Sequence, residues 1–569
     1  MEKAHPQLST IPPELIYRII SHLPQSTKLT ARLLSKTFYS PATSEAFRHV
    51  RLSETNGSQF QRIASAPRLR CHVREIICDA RDGVVLNNGP PDVYRPGQFL
   101  LALPSIRLFT NLRALKLVFR RYLDAFTPTG RKYVTEDSSA MYLFRKWVLF
   151  AAFHCIVGRQ VLPSDCLLVT LPRSLLQTFL CLGIQDSSHW GFLRESRPSI
   201  PLEDLSITNL CEIPCTTQGE RDVIQEEEHW WPYREIASLP SFKRLKLMIT
   251  PNRIEAREDD EWQEPAVYST RDRFALVLKV LPAWFTPSAA RNLTVLSLHH
   301  DELWGYAPKF DFRTIGAAPD TGLPQLRTLS LSRFCFSHEW QIDWIASLGK
   351  GGLKELYLDD CVLLSVAYCT IASAEATTKP TDVEDIDGKK IQLSNHGYLP
   401  DSWQGGNSWD QWSVYYRSNL QWHQSFNHWR KSMPSLMVFR MGSSEAHKTW
   451  SHVELSDYWL DPLPRTTIPL GAHFIFLKEN AHNMFHDDVW RENARIAELR
   501  VPFYVKYMPE PLDSDLGDLR PWTFLPPMKH GAEGSEQADG EDRTQEDDDV
   551  VALSLLRQEL YTRSLGWTS

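Results

Sequence analysis

Residues Leu326–Cys361 read LRTLSLSRFCFSHEWQIDWIASLGKGGLKELYLDDC. The stretch holds one six-residue pattern twice, apolar-x-x-apolar-x-apolar: LRTLSL (Leu326–Leu331) and LKELYL (Leu353–Leu358). The closing apolar-x-apolar step has the period of a short strand, whose successive side chains point to opposite faces. Between the two copies lies SHEWQIDWIASLG. Ser337 can cap a helix there, Trp340, Trp344, Ile345 and Leu348 share one face, and Gly349 closes it. The stretch is therefore read as strand, helix, strand, the signature of an α/β chain with parallel strands.

The same hexamer returns on both sides. It appears as VREIIC (Val73–Cys78), LRALKL (Leu112–Leu117), LEDLSI (Leu202–Ile207), FKRLKL (Phe242–Leu247), LTVLSL (Leu293–Leu298) and LMVFRM (Leu436–Met441), with a weaker copy, QTFLCL, at Gln177–Leu182. RFALVLKVLPAWF supplies an apolar helix before LTVLSL. Such hexamers are the strand half of a leucine-rich repeat, whose units run to about 20–29 residues. Starts at 293, 326 and 353 lie 33 and 27 residues apart, and other gaps are longer. The expectation is an irregular solenoid over residues 70–508, units stacked to hide faces that none hides alone. Ser373 to Asn407, rich in Thr, Asp, Gly and Lys, is expected to be a surface loop.

The first fifty residues form a separate unit. Pro12 and Pro13 suit a first helical turn, and Leu15, Ile16, Ile19, Ile20 and Leu23 follow with helical period before Pro24. Ser26 is placed to cap a second helix holding Leu29, Leu33, Leu34 and Phe38, ended by Pro41. So small a domain needs a metal, disulfides or a partner to be stable, and its sequence offers neither of the first two. An uncovered apolar flank is expected. IPPELIYRIISHLP (Ile11–Pro24) followed by LTARLLSKTFYSPA (Leu29–Ala42) resembles an F-box over about residues 9–50, with Ile11 for the usual Leu and Phe38 where many members carry Trp. SHEWQIDWIASLGKGGLKELYLDDC and the later W…W…MPSLMVFRM extend a resemblance to fungal F-box proteins with degenerate leucine-rich repeats.

The chain has 569 residues, enough for three or four domains. Its net charge of −7 argues against a dedicated nucleic-acid binder. Nine acids and one base between Glu533 and Asp549 carry −8, leaving the remainder at +1. Residues 509–549, Pro- and acid-rich, are expected to be a disordered linker. A short amphipathic helix is expected over 550–563, carried by Val550, Leu553, Leu556 and Leu560. Ten irregularly spaced cysteines, no signal-peptide core and no apolar run near 20 residues imply a cytoplasmic or nuclear protein without a membrane partner. The sequons at Asn56 and Asn292 are then expected to stay unmodified.

No catalytic residue, metal site or cofactor is expected. His299, His300, Asp301 and Glu302 follow a strand and read as a turn; Cys211 and Cys215 lack a second pair for zinc. His154–Cys155 lies in an apolar run, where a buried free cysteine is the ordinary case. DVEDIDG (Asp382–Gly388) lacks both key carboxylates of a calcium loop. Trp412, Tyr415, Trp422, Phe426 and Trp429, just after Trp403 and Trp409, fall at three- and four-residue steps with Asn419 filling the gap, and read as a core helix face rather than a stacking platform. Seven arginines (Arg48, Arg51, Arg62, Arg68, Arg70, Arg74, Arg81) against three acids give residues 48–81 a charge of +4, suited to an acidic partner or to a solvated edge.

The family resemblance implies a non-catalytic substrate receptor of an SCF-type ubiquitin ligase. Its N-terminal helices would dock on the adaptor subunit, and through it a cullin, while the repeats hold a protein substrate. Carried over position by position, the adaptor contacts are Ile11, Pro12, Leu15, Ile16, Ile19, Leu23, Leu33 and Phe38. Alternatives are an adaptor-bound scaffold outside ubiquitin transfer, and an enzyme or sugar-binding domain in residues 400–530.

Overall fold

The computed structural model describes residues 11–80, 97–119, 138–158, 196–211, 231–250, 281–306, 310–315, 322–359, 361–369, 381–384, 390–393, 414–442, 503–507, 522–525 and 545–566. The chain is α/β, with mostly parallel strands and helices between them. It divides into two compact units: Met1–Asp124 with Thr135–Asn209 and Cys215–Phe242, and Ala125–Val134 with Leu210–Pro214 and Lys243–Ser569.

The first unit begins with α1 (Pro13–Ser21), α2 (Gln25–Ala31) and α3 (Lys36–Ala46). Four parallel strands follow, β1 (His49–Leu52), β2 (Glu75–Asp79), β3 (Ala114–Val118) and β4 (Asp204–Cys211), each hydrogen-bonded to the next. The returns contain α4 (Gly57–Ser65), α5 (Pro67–Arg70), α6 (Gly97–Ala102) and α7 (Ser138–Val157), and α8 (Trp231–Ala237) comes after β4.

In the second unit β5 (Arg244–Thr250), β6 (Val295–Trp304) and β7 (Thr328–Phe336) are parallel neighbours. Short helices α9 (Leu281–Trp284) and α10 (Pro287–Asn292) precede β6, and α11 (Glu339–Lys350) follows β7. Then come β8 (Glu355–Asp359), β9 (Val362–Cys369), the hairpin β10 (Thr381–Glu384) and β11 (Lys390–Leu393), β12 (Val414–Arg417), α12 (Trp422–Ser432) and β13 (Val438–Gly442). Strands β14 (Phe503–Tyr507) and β15 (Trp522–Leu525) and helix α13 (Gln545–Gly566) complete it.

Seven hexamers carry fully buried residues at their first, fourth and sixth positions: Leu112, Leu115 and Leu117 in one copy, Leu326, Leu329 and Leu331 in another. Parallel register lines them up, with Leu245 opposite Leu296, Leu296 opposite Leu329 and Leu329 opposite Leu356. Each such side chain contributes roughly 1.5–3 kcal/mol by leaving water.

The second hexamer position does a different job. Its carbonyl accepts the next unit's second and third N–H groups: Arg74 from Arg113 and Ala114, Arg113 from Glu203 and Asp204, Arg327 from Lys354 and Glu355, while Arg48, ahead of the first hexamer, accepts from Arg74 and Glu75. Three of these arginines also donate to the carbonyl just before the next hexamer. Arg74 reaches Asn111 O (3.1 Å), Arg113 reaches Pro201 O (3.3 Å) and Arg327 reaches Gly352 O (2.8 Å). At Gly352, φ is +92° and the Arg327 guanidinium fills the space a Cβ would need, so only glycine fits.

A linear stack of equivalent units is not what forms. β7 forks: Thr328–Ser332 pair with β8, while Cys335 and Phe336 pair with Val362 and Leu363 of β9. β8 continues to β13, whereas β9 takes β12 antiparallel on one side and β14 parallel on the other, with β15 antiparallel beyond. The cause is the apolar run Cys361–Leu364, buried throughout, which extends as a second strand after the hexamer strand has ended.

Several local expectations are corrected. His338, not Ser337, is the N-cap of α11; the Gln341 amide oxygen accepts the Ser337 and His338 N–H groups at 2.6 and 2.9 Å. Gly349 lies inside α11, where Met433 packs against it. The loop expected over 373–407 contains the β10–β11 hairpin, and the linker expected over 509–549 contains β15 and the first turn of α13. Residues 177–182 lie outside the described residues, as do Arg81, Cys215, Trp403, Trp409 and Trp412.

Candidate protein-docking face

Helices α1 to α3 build a small core of their own from Ile16, Ile20, Ala31 and Ala42, with Ile11, Leu23 and Phe38 packed on its edge. Pro12 precedes the first turn of α1 and Pro13 occupies its first position, where no amide donor is needed. The second helix of the sequence reading is two helices. α2 stops at Ala31, the chain turns through Arg32–Leu34, and Ser35 caps α3 by accepting the Phe38 N–H at 3.4 Å. Pro41 lies inside α3 rather than ending it. It is buried with Ala42, Thr43 and Ala46, and that packing offsets the single backbone hydrogen bond a proline removes. Arg32 ties the turn down: its Nε donates to Thr43 Oγ1 at 3.0 Å and its guanidinium sits 4.9 Å from the Phe47 ring centre.

This arrangement splits the apolar residues of α1 into two sets. Ile16 and Ile20 are 1% and 0% exposed, while Leu15 and Ile19 are 49% and 50% exposed. Ile16 is therefore a core residue, not a docking contact, because a helix only nine residues long turns it onto α2 and α3. Ile11, Leu23 and Phe38 are half-buried, and Pro12 is exposed. The turn after α2 lifts Leu33 to 85% exposure and Leu34 to 68%; Tyr17, Leu29 and Tyr39 are also open to solvent. Leu34, Tyr39, Tyr17 and Leu29 were absent from the sequence-derived contacts. A continuous helix over 26–40 hides them, because the break falls at Arg32–Leu34, just before the Ser35 cap. The face carries large apolar side chains. Its chemistry is that of binding by burial.

The other motifs resolve structurally. His299, His300, Asp301 and Glu302 belong to β6 rather than a turn, and both histidines are buried. Among the described residues no group of three potential metal ligands occurs. Cys155 is buried, and burial pushes its thiol up to about 12 despite nearby Arg107. Such a thiol is not a nucleophile at neutral pH. Trp422, Phe426 and Trp429 are fully buried on α12, Trp429 donating from Nε1 to Ile342 O at 3.1 Å and packing beside Phe336 and Phe439. They form core, as their helical spacing indicated. Tyr415 lies in β12.

The basic stretch is largely engaged within the first unit. Arg51 pairs with Asp79, Arg70 donates to Ala64 O and Arg48 lies 3.4 Å from Glu45. Beside them Glu75 accepts from His49 Nδ1 at 2.9 Å and pairs with Lys116 Nζ at 3.1 Å. Burial alone would raise the Glu75 carboxyl; the His49 hydrogen bond and the Lys116 charge outweigh it and hold the group at about 2.

No protein-family model matches the chain, and no curated protein shows significant similarity to it. Among the described residues no helix is long and apolar enough to cross a membrane.

Proposed function

We propose that this chain is an F-box-type substrate receptor of an SCF-type ubiquitin ligase, acting by binding rather than by chemistry. Helices α1–α3 dock on the adaptor, and the hexamer-built body holds the target, raising its concentration near the ubiquitin-carrying enzyme. One observation carries the reading: a three-helix unit with its own core leaves Leu15, Ile19, Leu33, Leu34 and Tyr39 open on the surface. A patch of exposed large apolar side chains marks a protein interaction site.

The kinship of the body to leucine-rich repeats is supported by Leu353, Leu356, Leu358, Cys361 and Leu363, which follow the repeat pattern through its ninth position, an Asn or Cys. The Cys361 thiol donates to Leu331 O of the preceding unit at 3.4 Å. At the fork the second unit departs from simple repetition.

Leu15→Asp together with Ile19→Asp tests the assignment. The expected outcome is loss of co-purification with the adaptor while the body keeps its near-UV circular dichroism. Unchanged capture would refute the docking face. Recovery of the adaptor without cullin would instead favour a scaffold outside ubiquitin transfer.

A further inference from the structure

Helix α12 does not cap itself. The side chain of its N-cap residue, Gln421, accepts from the Gln424 amide at 3.1 Å and caps no backbone N–H of the first turn. The missing acceptor comes from 126 residues downstream: the buried Asp549 carboxylate accepts the His423 N–H at 2.7 Å, with His423 Nδ1 3.3 Å from the same oxygen. The far end of α12 is served in the same way. Arg563 donates to Met433 O at 2.9 Å and Arg430 O at 3.0 Å, and Glu559 pairs with its guanidinium. A carboxylate thus meets the positive end of α12 and a guanidinium its negative end, each satisfying backbone groups that helix ends leave open.

Between these ends α13 lays Ala552, Leu553, Leu556 and Leu560 onto α12 and β13, all four buried. Counted from Asp549, they stand at +3, +4, +7 and +11, with Arg563 at +14. Fourteen residues of helix span about 21 Å, matched to α12 plus the turn that follows it. A slide by one turn would take both charges off their partners, so the contact reads register as well as greasiness. The opposite face of α13 exposes Val550, Val551, Leu555 and Tyr561. α13 therefore enters the second unit by one stripe only, as amphipathic helices enter grooves.

We infer that α12 and β13 form a helix-binding groove, filled in this chain by its own C-terminal helix. The ligand it takes is an amphipathic helix with a carboxylate in its first turn, apolar side chains three, four, seven and eleven residues later, and an arginine at fourteen. α13 is the in-chain occupant and holds the site closed against such a helix by its high effective concentration. The inference is independent of the docking face on α1–α3.

The test uses the full chain and a fluorescent peptide of residues 545–566. The Asp549→Ala, Arg563→Ala chain, whose own helix is loosened, should bind the peptide one to one, at least tenfold tighter than the unaltered chain does. The peptide carrying the same two substitutions should bind that chain at least tenfold more weakly. A variant chain with native near-UV circular dichroism that takes up no peptide would overturn the inference. So would a variant that loses that signal, since α13 would then be an inseparable part of the core. In the unaltered chain, α13 amides should exchange hydrogen faster than those of β6 and β7; equal protection would overturn it as well.

Discussion

Ile16 and Ile19 offer a controlled comparison, one residue type at two sites three positions apart on α1. Ile16 is 1% exposed and packs with Ile20, Ala31 and Ala42, whereas Ile19 is 50% exposed. Ile16→Ala removes a side chain with no water around it and leaves a cavity, at about 2–5 kcal/mol. Ile19→Ala gives up only half of a transfer energy of roughly 1.5–3 kcal/mol, so about 1 kcal/mol. Amide exchange of α1–α3, followed by mass spectrometry on the full chain, reads local opening without assuming that both units unfold together. At about 1.4 kcal/mol per tenfold, protection should fall roughly 30-fold to several thousand-fold for Ile16→Ala and about fivefold for Ile19→Ala. Adaptor capture should reverse the order, with Ile19→Ala the more damaging once each protein is shown to be folded. Equal loss of protection at the two positions would refute the division of α1 into a core side and a free side.

Glu75 gives a pH prediction. Its folded value of about 2 lies below the ordinary 4.5, so its contribution is complete above pH 4.5 and disappears as pH falls towards 2. The urea midpoint of the first unit should therefore drop over that window more steeply than in Glu75→Gln, and superimposable curves would contradict it. Gly349→Ala should destabilise the second unit by roughly 1–3 kcal/mol, because the added methyl would fall 2.8 Å from the Met433 Cα, a backbone atom; an unchanged thermal midpoint would show that α11 can move aside. Arg327→Ala removes two bonds to the Gly351 and Gly352 carbonyls and should cost about 1–2 kcal/mol, read as faster amide exchange at Leu353–Glu355. Unaltered exchange there would mean that the arginine ladder adds nothing to the backbone one.

The strand hexamers and α11 were legible because their information is local. Leu329 and Leu331 sit two apart and Trp344, Ile345 and Leu348 sit at helical steps, so each segment names its own buried face. The apolar flank at the N-terminus was legible for the same reason, though not its details. Periodicity groups Leu15, Ile16, Ile19 and Ile20 on one broad side of α1. Which of them lie inside depends on where α2 and α3 pack, and that turned on the break at Arg32–Ser35.

By itself, then, the sequence determined the α/β class, the repeated strand with its inward leucines, and a greasy N-terminal helical unit. The fork at β7, the trans-capping of α12 by Asp549 and Arg563, and the turning of Ile16 into the core were decided only by tertiary structure. Each joins groups that a local pattern cannot rank against rival neighbours. Cys335 finds Val362 rather than β8, and His423 finds a carboxylate 126 residues away, because the folded chain brings those backbone groups within hydrogen-bond reach and shuts water out.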